Sequence, residues 1–306
     1  MKNQKSIVFL SSFGLILTAC FWGFGFVVVK DSLNYIGSIY MVTFRYTLAA
    51  VCLSLICFKK WKLISWRYIK DGCITGTFLF LGYVVQTIGC SYTTAGKNAF
   101  LTTIYVILIP FFSWILYKKK PEWYIFVAAI LSITGIGFLS LSSDASSLLK
   151  INKGDLLTLL CGVFYALHIM WTSHCNSQGD DPLFLTMLQF TFAAIFGWIL
   201  SPIFEGTQSL HLLGNSRVII SILYLGIFST MIAFSLQNLG LKYVKPSLAS
   251  LFLSFESVFG VVFSMIFLKE SLSVRMVFGC VLIFLAVVLA ETKFQFFGKK
   301  KENIVS

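Results

Sequence analysis

The sequence predicts a polytopic α-helical bundle in a membrane. Three observations carry that prediction: ten apolar stretches of spanning length, a composition of 58% hydrophobic and only 12% charged residues with mean hydropathy +0.86, and basic residues gathered on alternate connections. About 20 predominantly apolar residues cross a bilayer as a helix. The stretches are continuous rather than alternating, so each meets its own backbone hydrogen bonds as a helix and not as a barrel strand. Almost nothing is left for a soluble domain.

The first span covers residues 7–29. Lys2 and Lys5 followed by a run ending Leu17-Thr18-Ala19-Cys20 resemble a lipoprotein signal, but the apolar run continues through Phe21 to Val29, so the segment reads as an uncleaved span. The second span, 37–58, contains Arg45. The third, 71–91, carries Gly72 and Gly76 four apart, a spacing that permits close helix contact, as do Gly23 and Gly25 in the first. The fourth, 95–117, opens with Lys97 and Asn98 and contains Pro110. The fifth, 122–141, holds Gly135 and Gly137. The remaining spans are 154–173 with His168, 182–201, 218–239, 246–268 with Glu256, and 273–291 with Gly279.

A polar connection at 142–153 divides the spans five and five, so the second half, 154–291, enters the membrane the other way up from the first, 7–141. The halves echo one another. Tyr92 leads into a long span, a charged turn from Lys118 to Glu122 and a Gly-bearing span; Tyr243 leads through Pro246 and Ser247 into a long span, a charged turn at Lys269 and Glu270, and Gly279. Inverted repeats of this kind occur in secondary transporters, where two halves rock about a site near the midplane. With the N-terminus inside, inner segments hold 16 of the 24 Lys and Arg residues, including the tail at 292–306; outer ends hold 7, and Arg45 completes the total. Both termini are therefore expected in the cytoplasm. The basic clusters, and the net charge of +12, read as anchors at anionic lipid rather than as a nucleic-acid surface.

Short motifs sharpen this reading. Phe21-Trp22-Gly23-Phe24-Gly25-Phe26-Val27-Val28-Val29-Lys30, Arg45-Tyr46-Thr47-Leu48-Ala49, and the stretch from Gln86-Thr87 through Tyr92-Thr93-Thr94-Ala95-Gly96-Lys97-Asn98-Ala99-Phe100 to Tyr105 and Pro110 together resemble the EamA-like branch of the drug/metabolite transporter superfamily. The resemblance spans residues 7–291 as two repeats. It implies secondary transport of amino acids and other small metabolites, often as export, without naming the cargo. One departure is that the family's ninth span often carries Glu-Pro, whereas Glu256 here precedes Ser257.

Ionisable groups are costly in hydrocarbon, so each one within a span is a candidate for the transport pathway. Glu256 is the carboxylate near the middle of a span; it can exchange a proton or couple to substrate, or form a fixed ion pair or backbone cap. Arg45 can take a substrate carboxylate through its two-pronged guanidinium, or hold Glu256 or a helix carbonyl. His168 can relay protons or sit as a hydrogen-bonded core histidine, and without a second ligand at i+3 or i+4 it marks no metal site. Lys97 and Asn98 open a helix whose free N–H groups favour an anion, with Lys97 snorkelling to the interface as the plain alternative. Gln86, Gln189, Gln237 and Asn238 are interhelical glue or ligands. Pro110 removes a helix hydrogen bond and is expected to kink the fourth span near a cavity or gate. Trp22, Phe24, Phe26, Tyr83 and Tyr105 lie in the spans that the resemblance places around the cavity, where they line it or pack toward lipid.

The eight cysteines include no CxxC pair, so neither metal nor disulfides are implied. No GxxxxGK[ST] occurs, so energy is expected from an ion or solute gradient. The chain shows no HExxH and no paired intramembrane aspartates, which argues against an enzyme, and no cofactor is implied. The expected function is export of amino acids or related metabolites across the cytoplasmic membrane by alternating access, with protons as a candidate coupling ion. Efflux of apolar drugs is the alternative, and a channel or scaffold stands behind both. The expected partners are a small solute and the lipid bilayer, with monomer or homodimer left open.

Overall fold

The computed structural model describes residues 2–118, 120–140, 152–207, 214–244 and 246–292. Residues 142–151 of the expected connection and the tail from 293 lie outside the described residues, as does Lys119 of the first charged turn. The described residues are helical almost throughout, with no strand among them. The helices are Lys2–Ser32 (α1), Ser38–Ile56 (α2), Trp66–Tyr92 (α3), Ala95–Thr102 (α4), Ile104–Tyr117 (α5), Trp123–Ser140 (α6), Lys153–Ser177 (α7), Pro182–Glu205 (α8), Ser216–Leu223 (α9), Ala233–Tyr243 (α10), Pro246–Phe267 (α11) and Val274–Thr292 (α12). A 3-10 turn, Phe58–Leu63, precedes α3, and a π-helical segment, Tyr224–Ile232, joins α9 to α10.

Seven helical runs are long and apolar enough to cross a membrane, two of them composite: Ala95–Ile115 joins α4 to α5, and Ser216–Gly240 joins α9 to α10 through the π segment. Three shorter apolar helices, Trp123–Phe138, Phe252–Phe267 and Val274–Leu289, accompany them. Each of these runs falls on one of the ten stretches read from the sequence.

Local chemistry sets the helix ends. Ser65, Thr94, Asn152, Asp181 and Asn215 each accept a hydrogen bond from a first-turn N–H of the helix they open. Two further caps come from distant chain. The Glu205 carboxylate, at the end of α8, accepts from the N–H groups of Ile39 and Tyr40 at 2.8 and 3.0 Å. Glu270, just past α11, accepts from Ala95 and Gly96 at 2.8 and 3.1 Å. At the end of α3, Lys30 Nζ donates to the Cys90 and Thr93 carbonyls, both at 2.7 Å, where free carbonyls and the helix dipole favour a cation.

The break between α4 and α5 falls at Thr103, whose hydroxyl turns back to the Phe100 carbonyl at 2.7 Å and competes with the helix ladder. Pro110 lies inside α5, seven residues beyond that break. The break in this span thus lies upstream of the proline, at Thr103.

Helices pack chiefly across the two sequence halves. The most extensive contacts join α1 to α11, α2 to α8, α3 to α7 and α6 to α12, followed by α3 with α8, α1 with α10 and α4 with α11. Glycine makes several of these crossings possible. A methyl group on Gly23 would meet Phe259 and the Gly260 N–H of α11, and one on Gly76 would lie 2.8 Å from the Gln189 carbonyl of α8. The glycines singled out in the first and third spans therefore do sit at close helix contacts.

Candidate functional site

Side chains from both halves converge on a cavity of about 80 Å³. Trp22, Phe26, Arg45, Tyr83, Gln86, Asn98, Tyr105, His168, Gln237 and Glu256 all line it, ten of the fifteen residues marked from the sequence. Lys97 does not. Its Nζ lies 2.7 Å from Asp155 on α7, and both side chains are nearly enclosed, at 13% and 0% exposure. The α4 N–H groups that could have received an anion are taken by Glu270. Pro110 is likewise outside the lining. Phe26 lines the cavity, whereas Phe24 packs edge-on against Tyr224, Phe263 and Phe267.

Arg45, only 2% exposed, is held on the π-helical segment. Its Nε and a terminal nitrogen donate to Thr230 Oγ1 at 3.0 and 2.8 Å, and the same nitrogen reaches Ser229 Oγ at 3.3 Å. The guanidinium carbon sits 4.5 Å from the Tyr83 ring centroid, a cation–π distance. No described carboxylate lies within ion-pair distance of it, and Glu256 is not its partner.

Glu256, on α11, is 5% exposed. The Tyr105 hydroxyl approaches its Oε1 at 3.5 Å, at the far limit of a hydrogen bond. Three tyrosines separate the two charges. Tyr83 meets Tyr165 edge-on at 5.3 Å, and Tyr165 meets Tyr105 at 6.4 Å.

Amides and hydroxyls fill the space beside this aromatic wall. Tyr165 donates to Gln86 Oε1 at 2.9 Å, and Gln86 Nε2 donates to Thr102 at 2.9 Å. Asn98 Nδ2 donates to Thr158 Oγ1 at 2.8 Å and to the Gln86 carbonyl at 3.2 Å, while its Oδ1, wholly buried, has no partner. His168 Nε2 faces Gln189 Oε1 at 2.9 Å, so the histidine is tied to α8 by a hydrogen bond. Trp22 Nε1 donates to the Ser229 carbonyl at 2.9 Å.

A second cavity, about 410 Å³, lies between α5 and α7. It shares Ile169 with the first and carries Ser113, Ser173, His174 and Ser177. Near that end of the bundle, Lys60 pairs with Asp181 at 2.6 Å and Arg67 with Asp180 at 2.9 Å, tying α3 and the turn before it to the α7–α8 connection.

Tyr165, Thr102, Ser229 and Phe234 line the cavity without having been singled out. The signal that reaches some of the lining is internal. Gln86-x-x-Gly89-x-x-Tyr92 recurs as Gln237-x-x-Gly240-x-x-Tyr243, and Arg45-Tyr46-Thr47-Leu48-Ala49-Ala50 recurs as Gln189-Phe190-Thr191-Phe192-Ala193-Ala194. The Ser229–Thr230 dock carries no such mark, because hydroxyl residues are ordinary in apolar helices.

Apolar helices of spanning length around a cavity lined by polar and aromatic side chains define a multi-pass membrane protein with a site for a small solute. The chain belongs to the EamA-like transporter family, which matches residues 10–141 and again 152–292. It is 36% identical to an uncharacterized transporter of Archaeoglobus fulgidus over 280 residues, covering 92% of this chain and 85% of that protein. The uncharacterized transporter YoaV of Bacillus subtilis is 24% identical over 88% of this chain and 92% of its own. A solved crystal structure, 16% identical, superposes with a TM-score of 0.66 over 95% of this chain and 99% of the other, and so shares the fold. The protein is thus a membrane transporter.

Proposed function

We propose that this protein exports amino acids or related small metabolites across the cytoplasmic membrane by alternating access, both termini inside, with Glu256 as the group through which protons couple to the cycle. One observation carries the reading: Arg45 and Glu256 line one cavity without pairing with each other. Buried charges are costly unless partnered, and a solute bearing both signs supplies the missing partners. The glutamine amides and tyrosines add polar and aromatic contacts of the kind that orient a small ligand.

Two inverted five-span repeats, 7–141 and 154–291, fit the packing. Exchanging the halves turns the α3–α7 contact into α10–α1 and the α1–α11 contact into α5–α7, and it returns α2–α8, α4–α11 and α6–α12 onto themselves. Tyr105 and Glu256 stand thirteen residues past Tyr92 and Tyr243. Thirteen further on, Lys118 and Lys269 both take left-handed backbone, φ 58° and 54°, which non-glycine residues seldom adopt. A matched backbone detail thus supports the repeat alongside the matched residues.

The aromatic wall favours a second reading, efflux of apolar compounds. Counterflow in proteoliposomes separates the two. Labelled amino acids should accumulate against an unlabelled pool, a pH gradient should drive them, and Glu256→Gln should abolish the drive and leave exchange only at raised amino-acid concentration. Accumulation of apolar cations with no amino-acid exchange would replace the first reading by the second.

A further inference from the structure

We infer that the cavity has a fixed polarity, an anion pole at Arg45 on the π-helical segment and an ammonium pole at Glu256 and Asn98, so that a zwitterionic solute binds in one orientation. The inference rests on the transporter reading above and adds the direction in which the substrate lies.

The poles arise where one half departs from the other. The position equivalent to Arg45 is Gln189, and the position equivalent to Glu256 is Tyr105. Each charge therefore has a neutral counterpart, and the site is asymmetric within a repeated frame. The π segment is a third departure. Ten residues separate Gly76 from Gln86, and eleven separate Gly226 from Gln237, although both glycines pack on equivalent residues, Phe192 and Leu48. One extra residue is what an i→i+5 turn absorbs, and such turns frequently mark functional sites. It is this turn that sets the Ser229 and Thr230 hydroxyls on the guanidinium.

The hydrogen-bonding capacity divides the same way. Arg45 offers only donors, and its docking partners are hydroxyls that leave its charge uncompensated. On the wall that carries Tyr105 and Glu256, the unpartnered atoms are acceptors. Asn98 Oδ1 is wholly buried with nothing to accept from, and Glu256 has one long contact. Asn98 and Tyr105 both line the cavity, and Tyr105 touches Glu256. An ammonium group donates three hydrogen bonds and suits this wall; a carboxylate suits the Arg45 wall.

The test uses three probes that share one side chain: leucine, its decarboxylated amine isopentylamine, and its deaminated acid 4-methylpentanoate. Binding to the purified full-length protein is read from intrinsic tryptophan fluorescence, to which Trp22 in the cavity wall contributes, and from ligand-induced thermal stabilisation. Native protein should bind leucine more tightly than either fragment. Arg45→Gln should weaken leucine and the acid by about 10- to 100-fold and leave the amine unchanged; Glu256→Gln should weaken leucine and the amine and spare the acid. The spared probe shows in each case that the variant is folded. Thr230 is a positioning residue on this account, so Thr230→Val should weaken the acid and leucine but not the amine, and Thr230→Ser should restore both. Equal weakening of all three probes by either charge variant, or no binding of any probe to native protein, overturns the polarity. The expected pattern without amino-acid counterflow would leave the poles standing and remove the transport reading instead.

Discussion

Arg45 and Glu256 are legible in the sequence because a charge in an apolar run has few neutral explanations, and both line the cavity. Lys97 looked equally informative, yet its role depends on Asp155, 58 residues away on a helix whose register no local pattern gives. That pair is nearly enclosed, and Asp155 also accepts from the Thr93 hydroxyl at 2.6 Å. Removing one partner strands a buried charge, so Lys97→Met should cost about 3–5 kcal/mol, whereas Lys97→Met with Asp155→Leu should recover most of it. Thermal unfolding of the purified protein decides this, and a single variant as stable as native would show the pair to be solvated. Asp181, outside the spans, gives a pH-dependent counterpart. Burial pushes its carboxyl up, but hydrogen bonds from Lys60 and the Phe184 N–H outweigh that and hold it below the usual carboxylate range. A depressed carboxyl contributes stability above its unfolded value of about 3.9 and loses it as pH falls through the folded value. Asn is as good a helix cap, so Asp181→Asn isolates the charge. It should cost only about 0.5 kcal/mol at pH 7, the partners being partly exposed, and the gap from native should close below pH ~4. A gap that persists at low pH would assign the loss to capping geometry.

At the scale of elements, small residues were readable and irregular backbone was not. Gly72 and Gly76 announce a close crossing by spacing alone, and both abut α8. A methyl group at Gly76 would strike the Gln189 carbonyl, which cannot rotate away, so Gly76→Ala should destabilise by about 1–3 kcal/mol through overpacking. Gly14 is the control. A methyl there meets only Leu236 at 3.6 Å, an ordinary contact, and the better helix propensity of Ala should leave the melting temperature unchanged or slightly raised. Similar losses at both positions would mean that helix flexibility, rather than the crossing, is what the glycines supply. The Thr103 break and the π segment escaped the sequence because each depends on competition between a hydroxyl and the helix ladder. Thr230 donates to the Leu225 carbonyl five residues back and Thr103 to Phe100, and a threonine elsewhere in a span looks the same. Pro110 is conspicuous in sequence, and it lies within a helix that continues past it.

Across the whole molecule, hydropathy located the apolar helices and charge counting proposes their orientation, while the ties at the two ends came only from the fold. One end is held by Lys97–Asp155 and by Glu270 on α4; the other by Lys60–Asp181 and Arg67–Asp180. Alternating access, as proposed, requires these sets to release in turn, because a cavity at the meeting of two rocking halves can open at one end only when the ties there let go. A two-state equilibrium shifts by the difference in free energy its ties contribute to each state, so cutting one set should bias the population toward opening at that end. Ser229→Cys, in a background lacking the native cysteines, reports on the cavity through its rate of labelling by a membrane-impermeant maleimide. With the N-terminus inside, Asp155→Asn combined with Glu270→Gln should speed labelling in intact cells, and Lys60→Ala with Arg67→Ala should speed it in inverted vesicles, by way of the larger cavity beside Ile169. The two effects arriving from the same side would refute rocking about this site; both arriving from the opposite sides to those stated would keep the mechanism and reverse the orientation that the basic residues propose.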